Sequence, residues 1–310
     1  LEMSELEGFP IYDGIAGEAV KYLALLEQEN NLPTTLVARK PGWNQNISGE
    51  VVFITGQNNP GILFHPEAAY QTYANALSSE GEYDVWLREI RQIMNQFPIV
   101  LFSVLATLAA PLLRLIDGPN FAVDFWGRTS TGKTTLLQVL ASIWGKPSDS
   151  GGLILSWNNT VIFSERLASF FGGGLPVFFD DSQTASDKLV EKVTYMLVNG
   201  MGKGRAKPYS VAKTEAFQVV LFTTGEKPLT ENSYPGAKAR VIEIYGSPFP
   251  GIAPQQLHQL KGIIMKNYGF LGERYISALS NVKTEDLRTR FLEARDYYSE
   301  KATNDIGQRF

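Results

Sequence analysis

The feature that most constrains this chain is the segment of residues 127–135, Gly-Arg-Thr-Ser-Thr-Gly-Lys-Thr-Thr. The apolar run 121–126 precedes it, and the apolar run 136–141 follows it. The first run is typical of a buried strand and the second of a helix, so the segment is predicted to be the loop between them. The spacing Gly-x-x-x-x-Gly-Lys-Thr in this context is typical of a phosphate-binding loop, or P-loop. An ordinary strand-to-helix turn is the alternative.

Each residue that the spacing specifies has a physical role. Gly127 lets the chain turn off the strand, and Gly132 lets backbone N–H groups approach phosphate oxygens. The helix that begins near Lys133 directs the positive end of its dipole at the anion. We expect Lys133 to reach the β- and γ-phosphates of ATP and Thr134 to hold Mg²⁺. The predicted nucleotide-binding residues are Gly127, Ser130, Thr131, Gly132, Lys133, Thr134 and Thr135.

Two carboxylates end a second predicted strand, residues 175–181. Ligands of a parallel sheet lie beyond the C-terminal ends of its strands, so Asp180 and Asp181 are predicted to reach the same edge as Lys133. We expect Asp180 to bind Mg²⁺ and Asp181 to orient or polarise the attacking water. Without the loop upstream, the pair would be interpreted as polar residues at a strand terminus.

Three more residues are candidates for catalysis. Thr223 and Thr224 follow the predicted strand 217–222, where hydroxyls could sense the γ-phosphate or position water, or simply cap the strand. Arg240 begins the predicted strand 240–245 and is a candidate arginine finger for the nucleotide of a neighbouring subunit. Its alternative role is an ion pair with a surface carboxylate.

The net charge of −4 argues against a surface that is basic throughout, so any nucleic-acid partner requires a local basic patch. Residues 202–210, Gly-Lys-Gly-Arg-Ala-Lys-Pro-Tyr-Ser, are predicted to form the tip of a β-hairpin. There Lys203, Arg205 and Lys207 could contact DNA phosphates. A solvated surface hairpin explains the same residues equally well.

The chain has no cysteine and only two histidines, His65 and His258. This composition excludes disulfides and zinc fingers and disfavours a histidine metal site. It fits a cytoplasmic compartment. The chain begins Leu-Glu-Met and lacks the regions of a signal peptide, so we interpret it as a fragment with both termini truncated.

Residues 97–116 are apolar and long enough to cross a bilayer. They contain Pro98, Pro111 and Arg114 and lie one short turn before the strand 121–126. We therefore expect a buried helix behind the core, with a membrane-associated protein as the alternative.

The predicted fold class is α/β. Short apolar runs at 34–38, 50–54 and 61–64 indicate strands, and helices are predicted over 255–268 and 285–302. The predicted domains are a β-rich N-terminal lobe (1–66), a helical bridge (67–118), an α/β ATPase core (119–250) and a partial helical lid (251–310).

Six motifs occur in a characteristic order: residues 127–135, 144–145, 178–181, 199–206, 223–226 and 236–240. The succession resembles an uncharacterised-domain family of helicase-like AAA+ ATPases from bacterial phages, plasmids and chromosomal cassettes. That family is similar to the MCM-like replicative helicases of mobile elements. The resemblance extends from about Tyr83 onward, with its specific motifs between Gly127 and Arg240.

The resemblance implies a ring, expected to be a hexamer, with ATP between subunits. It also implies that Lys203, Arg205 and Lys207 lie on a hairpin that faces DNA in the central channel. One residue departs from the family pattern. Asp181 stands where the family usually has glutamate, one methylene longer, so a loop movement or another group is needed to position the water.

Together these observations predict an ATP-dependent DNA helicase or translocase of a bacterial mobile element, active as a homo-oligomeric ring in replication of that element. Its cofactors would be ATP and Mg²⁺, and its partner single-stranded or forked DNA, with no membrane. The alternative is an ATP-dependent assembly or remodelling protein that does not unwind DNA processively.

Overall fold

The computed structural model describes residues 13–30, 35–46, 48–56, 61–202, 205–207, 210–212, 216–231 and 235–301. The chain divides into two compact units, Leu1–Leu36 and Val37–Phe310. The first unit contains a short 3₁₀ helix, Asp13–Ile15, and helix α1, Ala16–Glu29. The strand and turn patterns noted for 1–66 missed α1, although its alanine, leucine, glutamate and lysine residues are good helix formers.

Four short strands come next along the chain, β1 (Leu36–Ala38), β2 (Gly42–Gln45), β3 (Val51–Ile54) and β4 (Ile62–Phe64). Strand β1 pairs with β4, and β2 pairs with β3 in antiparallel register. The sequence did not predict β2, because its Pro-Gly start is typical of a turn. Trp43 in β2 is buried and donates a hydrogen bond of 2.8 Å to the carbonyl of Pro111, which fixes the hairpin to the helices that follow.

Helices α2 to α5 lie at Gln71–Ala76, Tyr83–Gln96, Pro98–Leu108 and Ala110–Ile116. A short 3₁₀ helix, Ala68–Tyr70, precedes α2. Helix α3 lies in the predicted helical bridge and buries Trp86, Ile90 and Ile93 on one face, as the helical period requires.

The single buried helix expected over 97–116 is instead two helices, α4 and α5, bent by 46°. Pro111 lies in the first turn of α5, where its missing N–H costs least, and it starts a new helix there. Helix α4 buries Val100 and Val104. In the part of the chain that the structure describes, no single helix is long and apolar enough to cross a membrane, whereas α4 and α5 reach that length and composition only as a bent pair.

The core follows, with elements β5 (Phe121–Trp126), α6 (Lys133–Ala141), β6 (Ile154–Ser156), α7 (Val161–Phe171), β7 (Val177–Asp180), α8 (Asp187–Asn199), β8 (Arg205–Lys207), β9 (Ser210–Ala212), β10 (Val220–Gly225), α9 (Pro235–Lys238) and β11 (Val241–Tyr245). Five of these strands form one sheet in the order β11-β5-β10-β7-β6. All neighbouring pairs are parallel. The fold is therefore mixed α/β, built on a parallel sheet.

Packing explains the composition of this sheet. Parallel strands covered on both faces are almost continuously apolar, and every residue of the central strand β10 is buried. Thr160 caps α7, because its hydroxyl accepts a hydrogen bond of 3.2 Å from the backbone N–H of Phe163. The order of the strands places β10 between the strand before the loop, β5, and the strand that carries the carboxylates, β7.

Three helices complete the second unit: α10 (Pro254–Ile264), α11 (Phe270–Leu279) and α12 (Thr284–Lys301). Helix α10 packs against α3 and α6, and α12 packs against α5. Helices α10 and α12 lie within or close to the predicted ranges. Helix α11 was not predicted as a separate helix.

Candidate functional site

The loop between β5 and α6 has the backbone that its glycines predict. Gly127 and Gly132 have φ angles of 132° and 91°, which favour glycine, and α6 begins at Lys133. A Cβ atom on Gly132 would lie 2.9 Å from the ring of Phe249. The hydroxyl of Ser247 donates a hydrogen bond of 2.8 Å to the carbonyl of Thr131, so the loop is held from the segment after β11.

Lys133 is folded back onto this loop. Its side chain is only 8% exposed, and its Nζ donates hydrogen bonds of 2.9 and 2.6 Å to the carbonyls of Gly127 and Arg128. Burial lowers the pKa of Lys133, and nearby carboxylates, led by Glu226 and then Asp180, oppose that change. The ammonium group therefore lies at the start of α6, where two backbone carbonyls accept its hydrogen bonds.

The C-terminal ends of β7 and β10 bring three further predicted residues to this loop. The Thr134 hydroxyl lies 3.1 Å from Asp180 Oδ1. Thr224 donates a hydrogen bond to the same oxygen, and its own Oγ1 accepts one of 2.9 Å from the backbone N–H of Asp181. Two hydroxyls that share one carboxylate oxygen thus connect the helix, the carboxylate strand and the central strand.

Asp181 differs from its neighbour in both backbone and charge environment. Its φ and ψ angles of 66° and 71° put it in the left-handed region, which is uncommon for a non-glycine residue. Burial raises the pKa of Asp181, and the charges of Asp180 and Glu226 raise it further.

A cavity of about 400 Å³ opens between these elements. It is lined by Thr129, Ser130, Thr131, Gly132, Lys133, Thr134, Thr135, Asp180, Asp181, Gln183, Thr224 and Leu257. Of the predicted nucleotide-binding residues, only Gly127 does not line the cavity. Its backbone carbonyl accepts a hydrogen bond from the Lys133 ammonium. Sequence reasoning missed Gln183, two residues after the carboxylate pair, and Leu257 of α10.

The donor set fits Mg²⁺ bound together with phosphate. Among the described residues, no group of three or more His, Cys, Asp or Glu side chains could hold a metal ion. Mg²⁺ usually takes one or two protein ligands and completes its shell with water and substrate phosphates. The adjacent oxygens of Thr134 and Asp180 supply such a pair.

Thr223 is not part of this cavity. It is completely buried, and its Oγ1 accepts a hydrogen bond of 2.8 Å from the indole N–H of Trp157. Successive residues of a strand face opposite sides of the sheet, so Thr223 turns away from the site when Thr224 turns toward it. Contact of Thr223 with a phosphate, which the sequence suggested, does not fit this placement.

Arg240 lies at the opposite edge of the sheet, just before β11 begins. It is exposed, and its guanidinium donates hydrogen bonds to Asn199 Oδ1 and, at 3.5 Å, to the carbonyl of Val198. The structure therefore keeps Arg240 away from the cavity of its own chain.

The predicted basic hairpin is present as a pair of strands. Strands β8 and β9 are antiparallel, with Arg205 opposite Ala212 and Lys207 opposite Ser210. Lys203 lies outside the described residues, as do the side chains of Arg205 and Lys207.

A buried carboxyl lies in β5, the strand that precedes the loop, and was not predicted from the sequence. Asp124, in the middle of β5, is fully buried, and its Oδ2 accepts a hydrogen bond of 2.8 Å from the N–H of Leu229. Burial raises the pKa of Asp124 to about 8. A single acidic residue within the apolar run 121–126 was the available signal.

Comparison with solved structures identifies a similar fold. The structure described as "SCCmec type IV Cch - active helicase" matches with a TM-score of 0.71 and 21% identity, over 94% of this chain and 56% of that one. At this identity the likeness establishes a shared fold, and the chain spans little more than half of that protein. The NrS-1 C-terminal region matches with a TM-score of only 0.39 and 11% identity, over 89% of this chain and 65% of that one.

Comparison with curated protein sequences finds no significant match. The family model of DUF927, a domain of unknown function, matches residues 8–216, more than half of the chain. That match includes the loop, the carboxylate strand and the basic hairpin. The chain therefore belongs to the DUF927 family.

Proposed function

We propose that this chain is a P-loop ATPase of the AAA+ type that drives the unwinding or translocation of DNA in the replication of a bacterial mobile genetic element. The observation that carries the proposal is the meeting of Lys133, Thr134 and Asp180 at the C-terminal edge of a parallel sheet, with 3.1 Å between the Thr134 hydroxyl and Asp180. This combination suits a nucleoside triphosphate bound with Mg²⁺.

Each residue then has one task. Lys133 exchanges its bonds to the loop carbonyls for bonds to phosphate oxygens, while the N-terminus of α6 adds its positive dipole. Thr134 and Asp180 hold Mg²⁺, which neutralises charge on the phosphates when bound. The Thr224 hydroxyl donates a hydrogen bond to the Asp180 carboxylate and accepts one from the N–H of Asp181. These two bonds keep the carboxylate strand in register with the central strand.

The helicase part of the proposal rests on two supports. The first support is the DUF927 family match together with the fold that this chain shares with a structure described as a helicase of a cassette element. A basic hairpin is the second support, with Lys203, Arg205 and Lys207 as contacts for single-stranded or forked DNA.

A ring, a hexamer by the family resemblance, explains the position of Arg240. In a ring of identical subunits the edge of one sheet can face the nucleotide of the next subunit, so Arg240 would act in trans as an arginine finger. We place the protein in the bacterial cytoplasm.

The test is steady-state ATP hydrolysis with and without single-stranded DNA. We expect DNA to stimulate hydrolysis, Lys133→Ala to abolish it, and Arg205→Ala to weaken the stimulation. Arg290→Ala removes an exposed cation of α12 and serves as the matched control, with no expected effect. Lysine-dependent hydrolysis that is indifferent to DNA would overturn the helicase assignment and favour an assembly or remodelling ATPase.

A further inference from the structure

A second cavity lies away from the nucleotide site, between the β2–β3 hairpin, the end of α5 and the start of α12. Its volume is about 480 Å³, larger than the cavity of about 400 Å³ at the loop. Its polar side chains are those of Asn44, Gln45, Arg114, Thr284 and Arg288, and the other lining residues are apolar. The cavity therefore combines two cations with neutral hydrogen-bonding groups.

The positive charge of this cavity is not balanced within its lining. No described residue that lines it is acidic, and the carboxylates nearest along the chain to its arginines, Asp117, Glu285 and Asp286, lie outside the lining. Arg114 and Arg288 are exposed, and within the described ranges neither forms an ion pair. In a chain with a net charge of −4, the two guanidinium groups thus make a local positive site.

One of the two arginines is held in place by the backbone. Arg288 Nε donates a hydrogen bond of 2.9 Å to the carbonyl of Leu115, at the end of α5. Among the described residues, the terminal nitrogens of Arg288 and the whole guanidinium of Arg114 have no further hydrogen-bond partner. Free terminal N–H groups on a planar guanidinium suit the oxygens of a phosphate group.

The composition of the lining matches a nucleic-acid backbone. Protein hydrogen bonds to DNA phosphate and sugar come mainly from arginine and lysine and from serine, threonine, asparagine and glutamine side chains. Two arginines, a threonine, an asparagine and a glutamine line this cavity. The same lining would not select a base, because phosphate contacts carry no sequence information.

The cavity also connects with the base of the basic hairpin. Arg114 lines a further cavity of about 410 Å³, which reaches Gly200 and Ala216. These two residues flank the β8–β9 segment, and Ala216 pairs with Met201 in an isolated bridge. Arg114 therefore joins the surface at the base of the hairpin to the cavity that holds Arg288.

We propose that Arg114 and Arg288 bind the phosphate backbone of single-stranded DNA, as a second DNA-contact site beside the hairpin of Lys203, Arg205 and Lys207. The inference rests on the proposed DNA motor, for which the hairpin alone was named as the contact. A strand bound to this chain then meets two separate groups of cations on one subunit.

The test measures the binding of a fluorescein-labelled single strand of mixed sequence by fluorescence anisotropy over a range of salt concentrations. Each phosphate contact on a single strand contributes about 0.7 to the slope of log K against log salt concentration. We expect the double variant Arg114→Ala with Arg288→Ala to bind about 10-fold or more weakly and to lose about 1.4 from the magnitude of that slope. Arg290→Ala, on the same helix but outside the lining, is the matched control and should keep both values.

A single variant covers the case in which loss of the hydrogen bond from Arg288 to Leu115 impairs folding. Arg114→Ala removes no hydrogen bond to a described residue and should lower the slope by about 0.7. Arg114→Lys keeps the charge and should restore the slope. Thermal unfolding shows whether each variant is folded.

The outcomes separate the two ideas. If folded wild type does not bind single-stranded DNA, the helicase proposal fails and this inference fails with it. If wild type binds DNA and Arg205→Ala weakens binding, while the variants of Arg114 and Arg288 keep affinity and slope, only this inference is overturned. Equal losses in Arg290→Ala would indicate a general effect of net charge and would overturn it too. Unchanged DNA affinity with a loss of self-association would assign the cavity to another copy of the chain and overturn it as well.

Discussion

At the scale of single residues, the site region contains two ionisable groups that the fold withdraws from water. Lys133 keeps two backbone carbonyls as hydrogen-bond partners. Asp124 has a partner on one oxygen only, and its Oδ1 has none among the described residues. An unsatisfied charge in the interior is costly, so burial raises the pKa of Asp124 to about 8. Its carboxyl is therefore mostly neutral below that pH.

The first prediction concerns pH and Asp124. Its folded pKa, about 8, exceeds the ordinary value of 3.8, so the folded state binds more protons than the unfolded state between those values. The free energy of unfolding should therefore fall as pH rises from about 4 to about 8, by a few kcal/mol. Glu243 adds to the rise in pKa and Lys133 opposes it.

Asp124→Asn keeps an acceptor for the Leu229 N–H and cannot ionise. Denaturant unfolding of wild type and variant across this pH range measures the difference. The variant should lack the wild-type decline, and equal pH slopes in the two proteins would contradict the assignment.

The second prediction separates two neighbouring threonines. Thr223→Val leaves the indole N–H of Trp157 without its acceptor, so the protein should lose about 1–3 kcal/mol of stability while folded molecules keep their ATP turnover. Thr224→Val removes the group that joins Asp180 and Asp181, and turnover should fall by about 100-fold or more. Thermal unfolding and kcat, measured on both variants, check the pair. A large loss of turnover per folded molecule in Thr223→Val would contradict this division.

At the scale of elements, the structure depends on a close joint at the start of α11. Gly269 donates its N–H to the carbonyl of Ser142 at 2.7 Å, and a Cβ atom on it would lie 2.1 Å from the carbonyl oxygen of Ser78. Its φ of 86° favours glycine. The end of α6, the segment before α3 and the start of α11 therefore meet at one glycine.

The third prediction tests that joint. Gly269→Ala should destabilise the protein by about 1–3 kcal/mol or more, because both the backbone conformation and the space oppose a side chain. Gly262→Ala is the matched control. It lies in the exposed interior of α10 with nothing within 4 Å, and should stabilise by roughly 0.5–1 kcal/mol. Equal effects of the two changes in chemical denaturation would contradict the account.

The elements also show what the sequence could predict. Strands β5, β7, β10 and β11 of the sheet were predictable because each contains a short apolar run next to turn or polar residues. Strand β2 was not, since its stability comes from burial of Trp43 against another element rather than from local pattern. Within the site, spacing identified Lys133 and Thr134, but the separation of Thr223 from the cavity depends on strand orientation, which the two adjacent threonines do not reveal.

At the scale of the whole molecule, the proposed activity uses two separate edges of the sheet in the second unit. The C-terminal edge of the sheet carries the cavity, and Arg240 lies at the other edge. A single copy cannot bring the two together, so the proposed activity requires a neighbour.

The fourth prediction follows from that separation. Arg240→Ala should leave Mg·ATP affinity within about twofold of wild type and lower turnover by about 1,000-fold, as loss of an arginine finger does. Wild-type turnover per chain should rise with protein concentration, and the variant should lack that rise. Turnover that is independent of concentration and unchanged in the variant would rule out action in trans.

The measurement that tests the central claim most directly is the equilibrium binding of ATP by calorimetry, with and without Mg²⁺, for wild type, Lys133→Ala and Thr134→Ala. The account predicts Mg²⁺-dependent binding of one ATP per chain to wild type. It predicts that Lys133→Ala abolishes this binding and that Thr134→Ala removes most of its Mg²⁺ dependence, with each variant shown to be folded by thermal unfolding. Binding that is unaffected by either substitution, or no binding to folded wild type, would contradict it.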